Sequence, residues 1–289
     1  MRIEARLAAK KRLIEEALEC LLQRDDGLLF QAMRYAVFPG GKRFRPLLVL
    51  SSGACFAVSP SLLVQFACAL ELIHSYSLVH DDLPSMDNDD FRRGKPSLHR
   101  AFGENLAILA GDGLLTLAFE AMAGAPVPRD KIRLKQEAIR VVSRNAGVDG
   151  MVGGQALDIT LKAKGLTRAK IEDLIQKKTG ALILAAVEVG AILGNARAAE
   201  RQAIREYGKS LGLAFQVRDD LLDARQKKRE GIPDRPDYIA FAGAAGAGKK
   251  LESLIRKATV SLAGFTRGAD ELRYHALSLL ELETEVGNA

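Results

Sequence analysis

Leu7, Ile14, Leu18, Leu21 and Leu22 recur at spacings that return to one side of a helix, with charged residues between them. The pattern predicts an amphipathic helix ending before Asp25-Asp26-Gly27. Further helices are predicted over 28–38, stopped by Pro39-Gly40-Gly41, and over 46–57, with Pro46 near the first turn. Residues 60–82 are apolar nearly all round, which predicts a central helix. Later helical patterns cover 105–123, 129–145, 150–159, 168–193, 196–226, 248–262 and 269–285. No run of six residues alternates cleanly with period two, and no linker or short repeat divides the chain. The expected fold is all-α, a single large helical bundle over residues 1–289.

Composition supports this. Of 289 residues 48% are hydrophobic and 27% charged, which excludes a disordered chain or a fibre. The lack of Trp and only nine Pro argue against a turn-rich β-sandwich. Lys and Arg total 42 against 36 Asp and Glu, a net charge of +6 that suits a small anionic substrate and is too diffuse for nucleic acid. Cys20, Cys55 and Cys68 are an odd number in a long chain and predict reduced thiols in a reducing, cytoplasmic compartment. Glu4, Glu15, Glu16 and Glu19 argue against reading the N-terminal stretch as a transit peptide. The least charged stretch, 46–70, contains Gly53, Ser59, Pro60 and Ser61, so two buried helices are expected there and no membrane span.

The chemistry gathers in a few segments. Asp81, Asp82, Asp87, Asp89 and Asp90 put five carboxylates within ten residues at the end of the central helix. Their repulsion calls for a cation, and a hard ion such as Mg²⁺ takes oxygen ligands. On a straight helix Asp81 and Asp87 point different ways, and Pro84 supplies the break that lets them meet. Arg218-Asp219-Asp220-Leu221-Leu222-Asp223 is a second acidic run, with Asp219 and Asp223 on one helix side. Two basic segments accompany them: Arg92-Arg93-Gly94-Lys95, and Gly40-Gly41-Lys42-Arg43-Phe44-Arg45-Pro46 leading into a helix. Arg forks and helix N-termini hold phosphate oxygens, so one metal-dressed and one purely cationic site imply two phosphorylated substrates. Taken singly, each cluster also reads as a solvated surface.

Together these stretches resemble the trans-isoprenyl diphosphate synthase (polyprenyl synthetase) family, of the bacterial farnesyl diphosphate synthase type. The matching segments are GGKRFRP (40–46), ELIHSYSLVHDDLPSMDNDDFRRGKPSLH (71–99), ILAGDGLL (108–115), GMVGGQALD (150–158), KTGALI (178–183) and FQVRDDLLD (215–223), in the family's order. The resemblance implies helices around a central cavity, and a homodimer. It implies three Mg²⁺ ions between an allylic diphosphate and Asp81, Asp82, Asp87 and Asp219. Arg92 and Lys178 would hold the same diphosphate. Lys42, Arg45, His74 and Arg93 would hold isopentenyl diphosphate. Thr179 and Gln216 would lie near the reacting carbons, and Asp220 would belong to the substrate-binding set.

The implied reaction ionises the allylic C–O bond, adds the double bond of isopentenyl diphosphate to the resulting cation, and loses a proton to the departed diphosphate. No nucleophilic side chain is needed, in keeping with the absence of a candidate Ser or Cys triad. Tyr76, five residues before Asp81, would floor the pocket for the growing tail, and in similar enzymes bulk there favours the C15 product, farnesyl diphosphate. Ordinary core packing is the other reading of Tyr76. Alternatives for the whole chain are a geranylgeranyl or geranyl diphosphate synthase, a terpene cyclase, and a non-catalytic diphosphate-binding subunit.

Some segments depart from the family pattern. Residues 224–237 are shorter than the usual loop and lack its clear lysine, and Glu281, Glu283 and Glu285 make an acidic end where relatives are often basic. Residues 243–250 nearly spell a nucleotide loop but lack the Ser or Thr after Lys and a preceding strand, so a helix start is expected. His80 is expected to support by hydrogen bonding rather than to bind metal.

Overall fold

A computed structural model describes residues 2–24, 26–160, 167–230, 238–266 and 268–281, with backbone alone for 226–230. The described residues are almost wholly helical. Contacts divide them into two compact units: residues up to Leu50 with Ser59–Ile139, and Ser51–Val58 with residues from Arg140 on.

The first unit opens with α1 (Ile3–Leu22), whose Leu7, Ile14, Leu18, Leu21 and Leu22 are all buried, as the spacing predicts. Burial of each is worth about 1.5–3 kcal/mol relative to exposure. After α2 (Leu28–Val37), α3 (Phe44–Ala54) begins two residues earlier than expected. Pro46 is tolerated there because first-turn N–H groups have no helical acceptor. The central helix is α4 (Pro60–Asp81), which buries thirteen of its 22 residues.

The predominantly helical pattern hid a short hairpin. Phe91–Arg92 (β1) pairs antiparallel with Lys95–Pro96 (β2), Arg92 opposite Lys95. Arg93 and Gly94 both have positive φ, +53° and +76°. That is the requirement of the tight hairpin turn whose twist matches its strands. Next come α5 (Leu98–Phe102), α6 (Glu104–Gly124), which packs along α4, and α7 (Ile132–Ala146). By length and composition α4 and α6 are each apolar enough to cross a membrane, and the apolar window of α4 is 72% buried in protein.

The second unit holds α8 (Met151–Thr160), α9 (Arg168–Ile175), α10 (Ala181–Leu193), α11 (Ala198–Glu230), α12 (Tyr238–Ser261) and α13 (Asp270–Leu277). The continuous helix expected over 168–193 is interrupted by a π-helical turn, Gln176–Gly180. The glycine-rich stretch near 243–250 lies within α12, kinked at Gly243, and Lys250 pairs with Glu172 at 2.8 Å. Of the departing 224–237 stretch, residues 224–230 continue α11, with side chains described for Ala224 and Arg225 only; 231–237, and the acidic residues after Glu281, lie outside the described residues.

Candidate active site

In the first unit, α4 ends at Asp81 and the chain folds back at once. Leu83 N–H donates to His80 O at 3.2 Å, Met86 N–H to Leu83 O at 2.9 Å, and Asp87 N–H to Asp81 O at 2.9 Å. Pro84 thus stands in the break, and the loop brings Asp87 back beside Asp81. Asp87 is exposed and Asp81 partly so. Asp82 is different: its side chain is 3% exposed and its carboxylate is closed on Arg92, whose Nε donates to Oδ1 at 3.0 Å and whose Nη2 donates to the same oxygen. Arg92 Nη2 also reaches Asp89 at 2.9 Å. Burial pushes the Asp82 carboxyl up and Arg92 pulls it back. The same bond raises the guanidinium's pKa.

His80 lies on the same helix end. One ring nitrogen is 3.1 Å from Ile108 O, and the ring meets Tyr76 edge-to-face at 5.7 Å. Tyr76 is 7% exposed, and burial, then Asp81, raises the pKa of its phenol.

The hairpin turn separates consecutive arginines. Arg92 goes to Asp82 and Asp89, whereas Arg93 lies by the Gly40-Gly41 turn, where a Cβ on Gly41 would sit 3.6 Å from Arg93 Nη2. His74 is depressed well below its ordinary 6.5, by burial first and then by Arg45, Arg93, Arg43 and Arg92. The ring is therefore neutral at physiological pH, among cations. Lys42 is exposed on the same turn. Lys95 Nζ is spent on backbone oxygens, donating to Tyr35 O at 2.9 Å and to Phe38 O. A pocket of about 390 Å³, counted with its open mouth, is lined by Ser75, Val79, Asp82, Arg92 and Arg93 among others.

Arg43 lies in sequence among the cations of its turn, and the structure gives it other partners. Its side chain is wholly enclosed and bound to Glu15 and Glu71. A lone acid such as Glu71 on an apolar helix was the available signal for this contact.

In the second unit the π-turn carries Lys178 and Thr179. Lys178 Nζ donates to Asp158 on α8 at 2.5 Å. Gly154 permits this approach, since a Cβ there would fall 2.3 Å from Lys178 N. Thr179 Oγ1 donates to Gln216 Oε1 at 2.8 Å, and Gln216 Nε2 donates to Asp220 Oδ1 at 2.8 Å. Tyr238 N–H donates to the other Asp220 oxygen at 3.0 Å, so this buried carboxylate is committed to protein groups. Asp219 is 38% exposed with Arg218 3.7 Å away, and Asp223 is exposed one turn on. Asp158 escaped the sequence reading, although it closes the GMVGGQALD stretch.

Among the described residues no three carboxylate, His or Cys side chains form a ready-made metal cluster. In the first unit Asp81 and Asp87, and in the second unit Asp219 and Asp223, have solvent-accessible carboxylates, and in each unit these oxygen donors suit Mg²⁺.

This all-helical architecture, with carboxylates and arginines at helix ends, has known counterparts. Residues 26–231 match the family model described as polyprenyl synthetase. The chain is 42% identical over 259 residues to a farnesyl diphosphate synthase of Geobacillus stearothermophilus, covering 86% of this chain and 87% of the relative. It is 44% identical over 241 residues to one from Escherichia coli (strain K12), covering 80% and 81%. The crystal structure of an FPP/GFPP synthase from Zymomonas mobilis superposes with a TM-score of 0.88 at 36% identity, covering 96% of this chain and 98% of that one. The chain belongs to the polyprenyl synthetase family. Its activity is that of a prenyltransferase.

Proposed function

We propose that the chain condenses dimethylallyl or geranyl diphosphate with isopentenyl diphosphate to give a short trans-prenyl diphosphate, farnesyl diphosphate. The observation that carries this reading is the parting of Arg92 and Arg93. One joins an acidic loop and the other a cationic turn with Arg45 and His74. One metal-assisted and one metal-free anion site are what two diphosphate substrates require.

In this reading Asp81, Asp87 and Asp219 hold Mg²⁺, which when bound supplies positive charge to the leaving diphosphate. Three ions are proposed. Asp82 keeps Arg92 aimed at the same diphosphate, and Lys178 leaves Asp158 to meet it. Lys42, Arg45, His74 and Arg93 bind isopentenyl diphosphate, with His74 donating as a neutral group. Asp220 and Thr179 fix Gln216, whose dipole faces the allylic cation without trapping it. Tyr76 limits the tail to the C15 length, a choice supported by the farnesyl diphosphate synthases among the relatives. A cytoplasmic homodimer completes the reading. Exposed Ile108 and Leu109 on α6 support self-association, and the free cysteines suit a reducing compartment.

The test is a purified-protein assay with Mg²⁺, isopentenyl diphosphate and each allylic primer, read by mass spectrometry. A C15 product is expected. Diphosphate release without isopentenyl diphosphate would mean a cyclase, and no turnover until another protein is added would mean a partner subunit.

A further inference from the structure

Arg43 stands between Lys42 and Arg45, yet its guanidinium is 0% exposed and holds only protein groups. Nε and Nη2 donate to the two oxygens of Glu15 at 2.8 and 2.9 Å, Nη1 donates to Glu71 at 2.6 Å, and Nη2 donates to Val37 O at 3.0 Å. Four N–H bonds of five are thereby used, so no diphosphate binds here.

We propose that Arg43 is a positioning residue for the second diphosphate, clamped by Glu15 of α1 and Glu71 of α4 so that Lys42 and Arg45 are held where isopentenyl diphosphate binds. This rests on the condensation proposed above and gives the N-terminal helix a part in substrate binding.

Three observations support the clamp. Arg43 has φ +53°, a left-handed conformation uncommon for a residue other than glycine and favoured here by its surroundings. That turn sets the chain direction between Lys42 and the start of α3, and Leu47 N–H closes onto Arg43 O at 3.0 Å. Gly40 lies directly against the guanidinium, where a Cβ would come within 1.9 Å of Cζ. The neighbouring Gly41 lies beside Arg93, so the turn that Arg43 holds also adjoins one of the cations assigned to the ligand. The two carboxylates also offset the Arg43 charge, which would otherwise add to the repulsion among Arg45 and Arg93. Burial lowers the pKa of Arg93, and Glu71 opposes that fall.

The test uses full-length enzyme with Mg²⁺, geranyl diphosphate and isopentenyl diphosphate. Arg43→Lys keeps the charge and loses the planar fork; Glu15→Gln loosens the clamp at a rim position 28% exposed and reads it even if Arg43→Lys fails to fold. Each soluble variant is expected to raise KM for isopentenyl diphosphate about tenfold, with KM for geranyl diphosphate changed less than about twofold and kcat less than about threefold. A merely structural role lowers kcat with the folded fraction and leaves both KM values alone, and that result overturns the proposal. If wild-type enzyme performs no condensation, the proposed function itself fails and this inference with it. If wild type condenses and the isopentenyl diphosphate KM does not move, this inference alone fails.

Discussion

Asp87 donates its backbone N–H to the carbonyl of Asp81 across 2.9 Å, so two carboxylates six residues apart share one small loop. Asp82 between them is buried and bound to Arg92. The proposed metal role therefore falls on Asp81 and Asp87, and the positioning role on Asp82. Asp81→Asn and Asp87→Asn are each expected to lower kcat by about 10²-fold or more, with unchanged melting temperature. Excess EDTA should abolish turnover and Mg²⁺ restore it. Activity that survives both variants and chelation contradicts the assignment.

The neutral state of His74 has a consequence for stability. Its folded pKa lies well below the ordinary 6.5, through burial first and the surrounding arginines second. As pH falls, the unfolded chain takes up the proton first. The contribution is fully present above about pH 6.5 and is lost below it, at up to about 1.4 kcal/mol per pH unit. Urea unfolding at pH 7 and 5.5 should show a smaller loss for His74→Gln than for wild type. Equal losses would mean that another group governs the acid limb.

Lys178 is paired with Asp158, and both side chains are partly exposed, 32% and 43%. Such a pair adds less than about 1 kcal/mol to stability. Asp158→Asn removes a competitor for the lysine. The expected outcome is a lower KM for the allylic diphosphate with melting temperature nearly unchanged; a raised KM would show that Asp158 instead aims Lys178 at its ligand.

Tyr76 is packed on His80, and its removal opens space beside α4. Tyr76→Ala is expected to shift the product beyond C15 and to cost about 3–5 kcal/mol as a large core truncation. Chromatography of dephosphorylated products reads the first, and denaturant titration the second. An unchanged chain length would reduce Tyr76 to core packing.

The legible parts of the molecule share a property: their signal is local. α1 and α4 follow from the spacing and density of apolar residues, since burying them is what makes those helices form. The meeting of Asp81 with Asp87 follows from Pro84, whose ring disfavours helix in the residue before it. The hairpin at 91–96 was hidden because two-residue strands are too short to show alternation, and Arg93 is an unusual residue for positive φ. The π-turn was hidden because Lys-Lys-Thr-Gly inside a helical pattern carries no mark of an altered repeat.

The amino-acid order alone determined the all-helical class, the acidic runs and basic turns, and through them the family. Those depend on periodicity and residue type, which neighbours along the chain suffice to express. Only the tertiary structure decided which charges are spent internally. Arg43 and Asp220 carry the same charges as Arg45 and Asp219, yet the first two are buried and bonded to protein groups. That difference comes from contacts with Glu15, Glu71, Gln216 and Tyr238, which are distant in sequence or a helical turn away. A buried ion must find such partners because water is no longer there to solvate it.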